Sequence, residues 1–138
     1  MKTIILIAAL LVQGLAAKHL HREKVYQRAF CDRVHGRMEY RLRDGTRVDC
    51  QTATYSFEVD FGRHAFESVG QALYYALMTG KRPGIVLIRE TRKDDRYIGR
   101  VKRLAARYGI YLFVIDTAFR IRAVKLPQYH KPTTKEIR

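Results

Sequence analysis

The chain of 138 residues carries 27 Lys and Arg against 13 Asp and Glu, a formal net charge of +14. That length suffices for one domain around one core, and the cationic excess points to a polyanionic partner, nucleic acid first, with solubility or adhesion to an acidic envelope surface as the alternative. The two cysteines, with no CxxC, HExxH or paired His/Cys spacing around them, argue against structural zinc.

Taken in chain order, Lys2 precedes an apolar run from Ile4 to Val12, followed by Gln13, Gly14 and the small residues Ala16 and Ala17. This is the layout of a secretory signal peptide over residues 1–17, and it predicts a secreted or periplasmic protein. The run is about half the ~20 residues that a spanning helix needs; an uncleaved anchor is the alternative. Cleavage leaves a net charge of +13. In an oxidising compartment Cys31 and Cys50 can pair, closing a loop of about 20 residues with a stabilisation of about 3 kcal/mol.

Residues 18–36 read as a basic N-terminal arm, in which 18–29 (KHLHREKVYQRA) form either an extended arm or a short irregular helix. Met38–Leu42 and Thr46–Cys50 flank Arg43-Asp44-Gly45 and predict two strands joined by an Asp-Gly hairpin turn. A third strand follows at Tyr55–Phe61. Its Phe57, Val59 and Phe61 alternate with Glu58 and Asp60, so a period of two places both carboxylates on one face. The same alternation in the second strand sends Val48 and Cys50 one way, Arg47 and Asp49 the other. Three acids can then converge beside one hairpin. Like charges on adjacent strands repel, and two arrangements relieve this: a solvated face neutralised by Arg41 and Arg47, or a hard divalent cation such as Mg²⁺ or Mn²⁺.

Residues 63–79 switch to helical periodicity, ended by Gly80. His64, Gln71 and Tyr75 share a narrow polar stripe with Glu67 at its edge. Residues 84–89 form a buried strand, Asp94 and Asp95 start a second amphipathic helix ending at Gly109, and Ile110–Ile115 forms another buried strand. On that second helix Arg96, Arg100, Arg103 and Arg107 fall in one stripe, suited to phosphate contact or simply to solvation. The tail, 127–138, is basic, proline-bearing and expected to be disordered. The expected architecture is α/β with a central mixed sheet, in the order β-β-β-α-β-α-β, over residues 37–126.

Glu39, Asp49 in VDC, Glu58 in FEVDF, and Gln71 with Tyr75 in GQALYYALMTGK together resemble the PD-(D/E)XK nuclease superfamily, in its QxxxY-bearing branch. The resemblance spans roughly residues 37–116. It implies a restriction-endonuclease-like three-layer sandwich and a Mg²⁺-dependent deoxyribonuclease with little sequence preference. Carried over, Asp49 and Glu58 would be metal ligands, the Val59 carbonyl a third, and Glu39 an outer or second-metal acid. Gln71 and Tyr75 would orient the phosphate, with Arg63 adding charge. The pattern is broken at one catalytic position: the lysine of the ExK triplet is Asp60 here. His64 is the possible substitute, since histidine can act as a base near neutral pH. The rival expectation is a nuclease-fold protein that binds DNA or the envelope without cutting.

Overall fold

The computed structural model describes residues 19–129. The expected signal peptide and the part of the tail from residue 130 onward lie outside the described residues. The chain is α/β: a six-stranded mixed sheet in the order β1-β2-β3-β4-β5-β6, with one helix on one face and two on the other. The elements are α1 (Glu23–Arg33), β1 (Arg37–Arg41), β2 (Arg47–Gln51), β3 (Tyr55–Phe61), α2 (Ala65–Thr79), β4 (Arg82–Arg89), α3 (Asp95–Tyr108), β5 (Tyr111–Asp116) and β6 (Ile121–Ala123).

The first three strands form an antiparallel meander, β3, β4 and β5 run parallel, and β6 returns antiparallel at the far edge. Parallel pairing requires a crossover; α2 and α3 supply the two. They bury Val69, Ala72, Val101 and Ala105 against Ile85, Leu87, Leu112 and Val114. The opposite face carries Phe57, Val59, Val86, Ile88 and Ile115 beneath Tyr26 and Phe30 of α1. Strand β4 is thus apolar on both faces, which explains its unbroken run of aliphatic residues.

Of the two expectations for the N-terminal segment, an arm or a short irregular helix, it is the helix that forms, and it is regular. Residues 23–33 form a regular helix whose Tyr26, Gln27, Phe30 and Cys31 are buried. Their i, i+4 spacing gives α1 one inward stripe, and its acidic start (Glu23) and basic end (Arg33) complement the helix dipole. The surrounding charged residues lie on the outer face and conceal this short pattern in the composition. Residues 19–21 are fixed as well. Glu90 accepts from His19 Nδ1 at 2.8 Å, Leu20 N at 2.9 Å and the Tyr26 hydroxyl at 2.8 Å.

The hairpin turn forms where Asp44-Gly45 predicts it. Gly45 has φ +89°, a region that favours glycine, and Asp44 accepts from both the amide and the hydroxyl of Thr46. The shared side expected for Val48 and Cys50 does not hold. Cys50 packs under α1, whereas Val48 packs with Leu42 and Tyr75; twist in the outer hairpin, typical of edge ribbons, carries it over α2. Among the described residues no helix is long and apolar enough to cross a membrane.

Candidate functional site

The site begins where two strands stop pairing. The β2–β3 ladder includes Cys50 with Phe57 and Gln51 with Ser56, and does not extend to Asp49 and Glu58. The strands diverge there, which would strand the Val59 amide without a partner. Asp49 solves this with its side chain: Oδ2 accepts from Val59 N at 2.9 Å. The divergence opens a cleft of about 370 Å³ lined by Glu23, Arg47, Asp49, Glu58, Asp60, His64, Glu67, Gln71 and Tyr75. The hairpin forms one wall and α2 the other. Tyr74 of α2 hydrogen-bonds Asp44 in the hairpin turn, and Tyr75 packs on Val48 and Leu42.

Electrostatically the cleft is a crowded set of acids. Glu58 is only 6% exposed, and its Oε2 is buried without a hydrogen-bond partner. Burial, followed by the charges of Asp49 and Asp60, pushes the Glu58 carboxyl up to about 9. Burial and then a hydrogen bond with Asp60 raise Glu23 to about 8. Asp49 is raised to about 6, mainly by burial and held back by the Val59 amide. Burial and then Glu58 raise the Tyr75 hydroxyl to about 12. Each shift states that the anionic form lacks compensation. Arg47 is the one Lys or Arg in the lining, and its Nη1 lies 3.5 Å from Glu39.

Helix α1 and a disulfide hold this arrangement. Cys31 of α1 is bonded to Cys50, the neighbour of Asp49, with Cα atoms 5.6 Å apart. One turn earlier, Gln27 Nε2 donates to the Asp49 carbonyl at 2.8 Å and to Glu39 Oε1 at 3.0 Å. One turn earlier again, Glu23 reaches the cleft. The residues 23, 27 and 31 therefore attach a single helical stripe to β2, and that attachment brings a fourth carboxylate to Asp49, Glu58 and Asp60.

The residues singled out in the sequence divide into groups. Asp49, Glu58, Asp60, His64, Gln71 and Tyr75 line the one cleft. Glu39 lies outside the lining, engaged by Gln27, Lys24 and Arg47. Val59 meets Asp49 through its amide N–H, and its side chain points to the α1 core. Arg63 lies outside the lining and donates from Nε to His64 Nε2 at 2.9 Å. The Nε2 lone pair a base would use is therefore already accepting, and His64 Nδ1 lies 3.4 Å from Glu67. Arg96, Arg100 and Arg103 line a separate groove with Phe66, and the Arg107 guanidinium stacks over Tyr108 and Tyr129.

Glu23 escaped the sequence reading, and of the two arginines expected beside the acids Arg47 lines the cleft whereas Arg41 does not. The signal for Glu23 was its i, i+4 relation to Gln27 and of Gln27 to Cys31, which becomes informative only once Cys31 is known to join Cys50.

The donor chemistry fits a hard divalent cation. The near groups are carboxylate oxygens, one of them buried and unpartnered. Among the described residues no three His, Cys, Asp or Glu side chains converge into a ready-made metal cage. Mg²⁺ requires none, since it is commonly held by one or two carboxylates and completes its shell with water and substrate phosphate. Compared with family models, with curated protein sequences and with solved structures, the chain matches none.

Proposed function

We propose that the cleft is the active site of a Mg²⁺- or Mn²⁺-dependent phosphodiesterase acting on DNA with little sequence preference, on a restriction-endonuclease-like arrangement of the sheet. The observation that carries this reading is the buried, unpartnered Oε2 of Glu58 beside Asp49. A buried carboxylate with no cation is costly, and a divalent ion removes that cost. Glu58 and Asp49 are the residues that would hold it. When bound, the ion supplies positive charge against a phosphate and acidifies a water molecule. Arg47, at the rim of the cleft, is placed to hold a non-bridging phosphate oxygen. Gln71 and Tyr75 bound the opposite wall and orient the substrate. The net charge of +14 supports a polyanionic substrate. The Cys31–Cys50 bond, typical of oxidising compartments, supports a secreted or periplasmic location.

A specific observation favours a second reading, a protein that binds DNA without cutting it. Asp60 stands where the resemblance places a lysine, and the acceptor nitrogen of His64 is taken by Arg63. Plasmid nicking with Mg²⁺, Mn²⁺ or EDTA decides between them. Metal-dependent cleavage abolished by Glu58→Gln is the expected result; DNA retention without cleavage in any metal establishes the binding protein.

A further inference from the structure

A second groove, of about 540 Å³, runs between α2 and α3 and is lined by Phe66, Arg96, Gly99, Arg100, Arg103 and Leu104. Phe66 is 62% exposed, and a Cβ added at Gly99 would meet nothing within 4 Å, so the groove is open above an apolar floor. Among the described residues none of the three arginines forms a salt bridge. Tyr97 partly orders two of them. The Arg96 guanidinium lies 4.6 Å from its ring centroid and donates to its hydroxyl at 2.7 Å, and Arg100 lies 5.7 Å from the same centroid.

We infer that this groove binds single-stranded nucleic acid, with a base stacked on Phe66 and the backbone phosphates on Arg96, Arg100 and Arg103. The inference rests on the proposed nucleic-acid substrate and adds its strandedness. An exposed aromatic ring flanked by unneutralised arginines matches both chemical features of an unpaired strand, its flat base faces and its regular anions. A duplex offers the phosphates alone, because its base faces are stacked on one another. The arginines recur at intervals of four and three residues, about 6 Å and 4.5 Å along the helix, and so present charge along a line. The groove also adjoins the acidic cleft. Phe66 lines the former and the next residue, Glu67, lines the latter, so the N-terminal turn of α2 is a ridge between them. A strand anchored on Phe66 and crossing that ridge leads into the acidic cleft that Glu58 lines.

The test is fluorescence anisotropy of the full chain in EDTA, using a labelled oligodeoxynucleotide of mixed sequence, its duplex, and unlabelled polyphosphate as competitor. Phe66→Ala is expected to weaken single-strand binding about tenfold, the lower part of the range for loss of one stacked base, and to leave duplex binding nearly unchanged. Phe66→Trp restores it. Arg100→Ala with Arg103→Ala weakens both and lowers the salt dependence. Equal single-strand binding by wild type and Phe66→Ala overturns the inference, as does displacement by polyphosphate that is indifferent to residue 66. Because the assay contains no metal, absence of cleavage by the wild-type protein leaves it standing. Conversely, cleavage unaffected by Phe66→Ala, with unchanged binding, removes it while keeping the nuclease.

Discussion

The Oδ2 atom of Asp49 accepts the main-chain N–H of Val59 at 2.9 Å, bridging two strands that have ceased to pair. One carboxylate thereby closes a gap in the sheet and faces a cleft with its charge. These two roles separate by substitution. Asp49→Ala leaves the buried Val59 amide unsatisfied and is expected to cost about 1 to 3 kcal/mol. Asp49→Asn keeps a carbonyl acceptor and discards a charge that burial penalises, raising the carboxyl to about 6, so urea denaturation at pH 8 should find it more stable than wild type in the absence of metal. Both should lose any stabilisation by Mn²⁺.

The protonation of Glu58 and Glu23 makes stability depend on pH with a definite sign. Their carboxyls sit at about 9 and about 8 in the folded protein, above the ordinary value of 4.5. Between these limits the folded state binds more protons than the unfolded one. The metal-free contribution is thus complete below about pH 4.5 and is lost as pH rises through 8 and 9. Glu58→Gln removes the larger part of this dependence, and should exceed wild type in stability at pH 8 by about 1.4 kcal/mol or more, the equivalent of one pKa unit. At pH 5 the two should coincide. Divalent metal should raise the wild-type Tm more at pH 8 than at pH 5, because at low pH it must displace protons.

Reduction of the Cys31–Cys50 bond acts on both stability and site. The bond spans a separation of 19 residues, and its loss costs about 3 kcal/mol by the loop-entropy argument. Because it fastens α1 beside Asp49, the double variant Cys31→Ser, Cys50→Ser should also bind Mn²⁺ more weakly, by severalfold, under conditions where it remains folded. Calorimetric titration of that variant against wild type measures this. Unchanged affinity would show that Gln27 alone keeps Glu23 in place.

Restoring a cation to the cleft tests the departure from the nuclease pattern. Asp60→Lys removes one of the five acids that line the cleft and places an ammonium group beside Glu58, while His64→Lys frees the position from its Arg63 contact. Plasmid nicking in Mg²⁺ is expected to rise at least tenfold in one of them, within the usual range for a positioned acid-base or charge-stabilising group. Arg47→Ala should act oppositely and lower cleavage, since no other Lys or Arg lines the cleft.

What was legible in the sequence follows from short-range periodicity. Alternation in Tyr55–Phe61 separated Glu58 and Asp60 from the aromatic face, and the 3.6-residue repeat in α2 placed His64, Gln71 and Tyr75 together. Their convergence on one cleft needed only neighbouring elements, β3 and the helix that follows it. At α1 the residues do not decide between an arm and a short helix because its four buried residues are set among charges, and β6 was missed because three residues carry too little pattern.

Sequence alone determined the charge, the order of the central strands and helices, and which faces carry acids, because each depends on residue identity and a fixed backbone period. The tertiary structure decided that Glu23 enters the cleft, that Glu39 is diverted to Gln27 and Arg47, and that the arginines of α3 share a groove with Phe66. These are meetings between segments distant in the chain. Strand divergence, a disulfide and helix packing set them, and none of these leaves a periodic trace in any one segment.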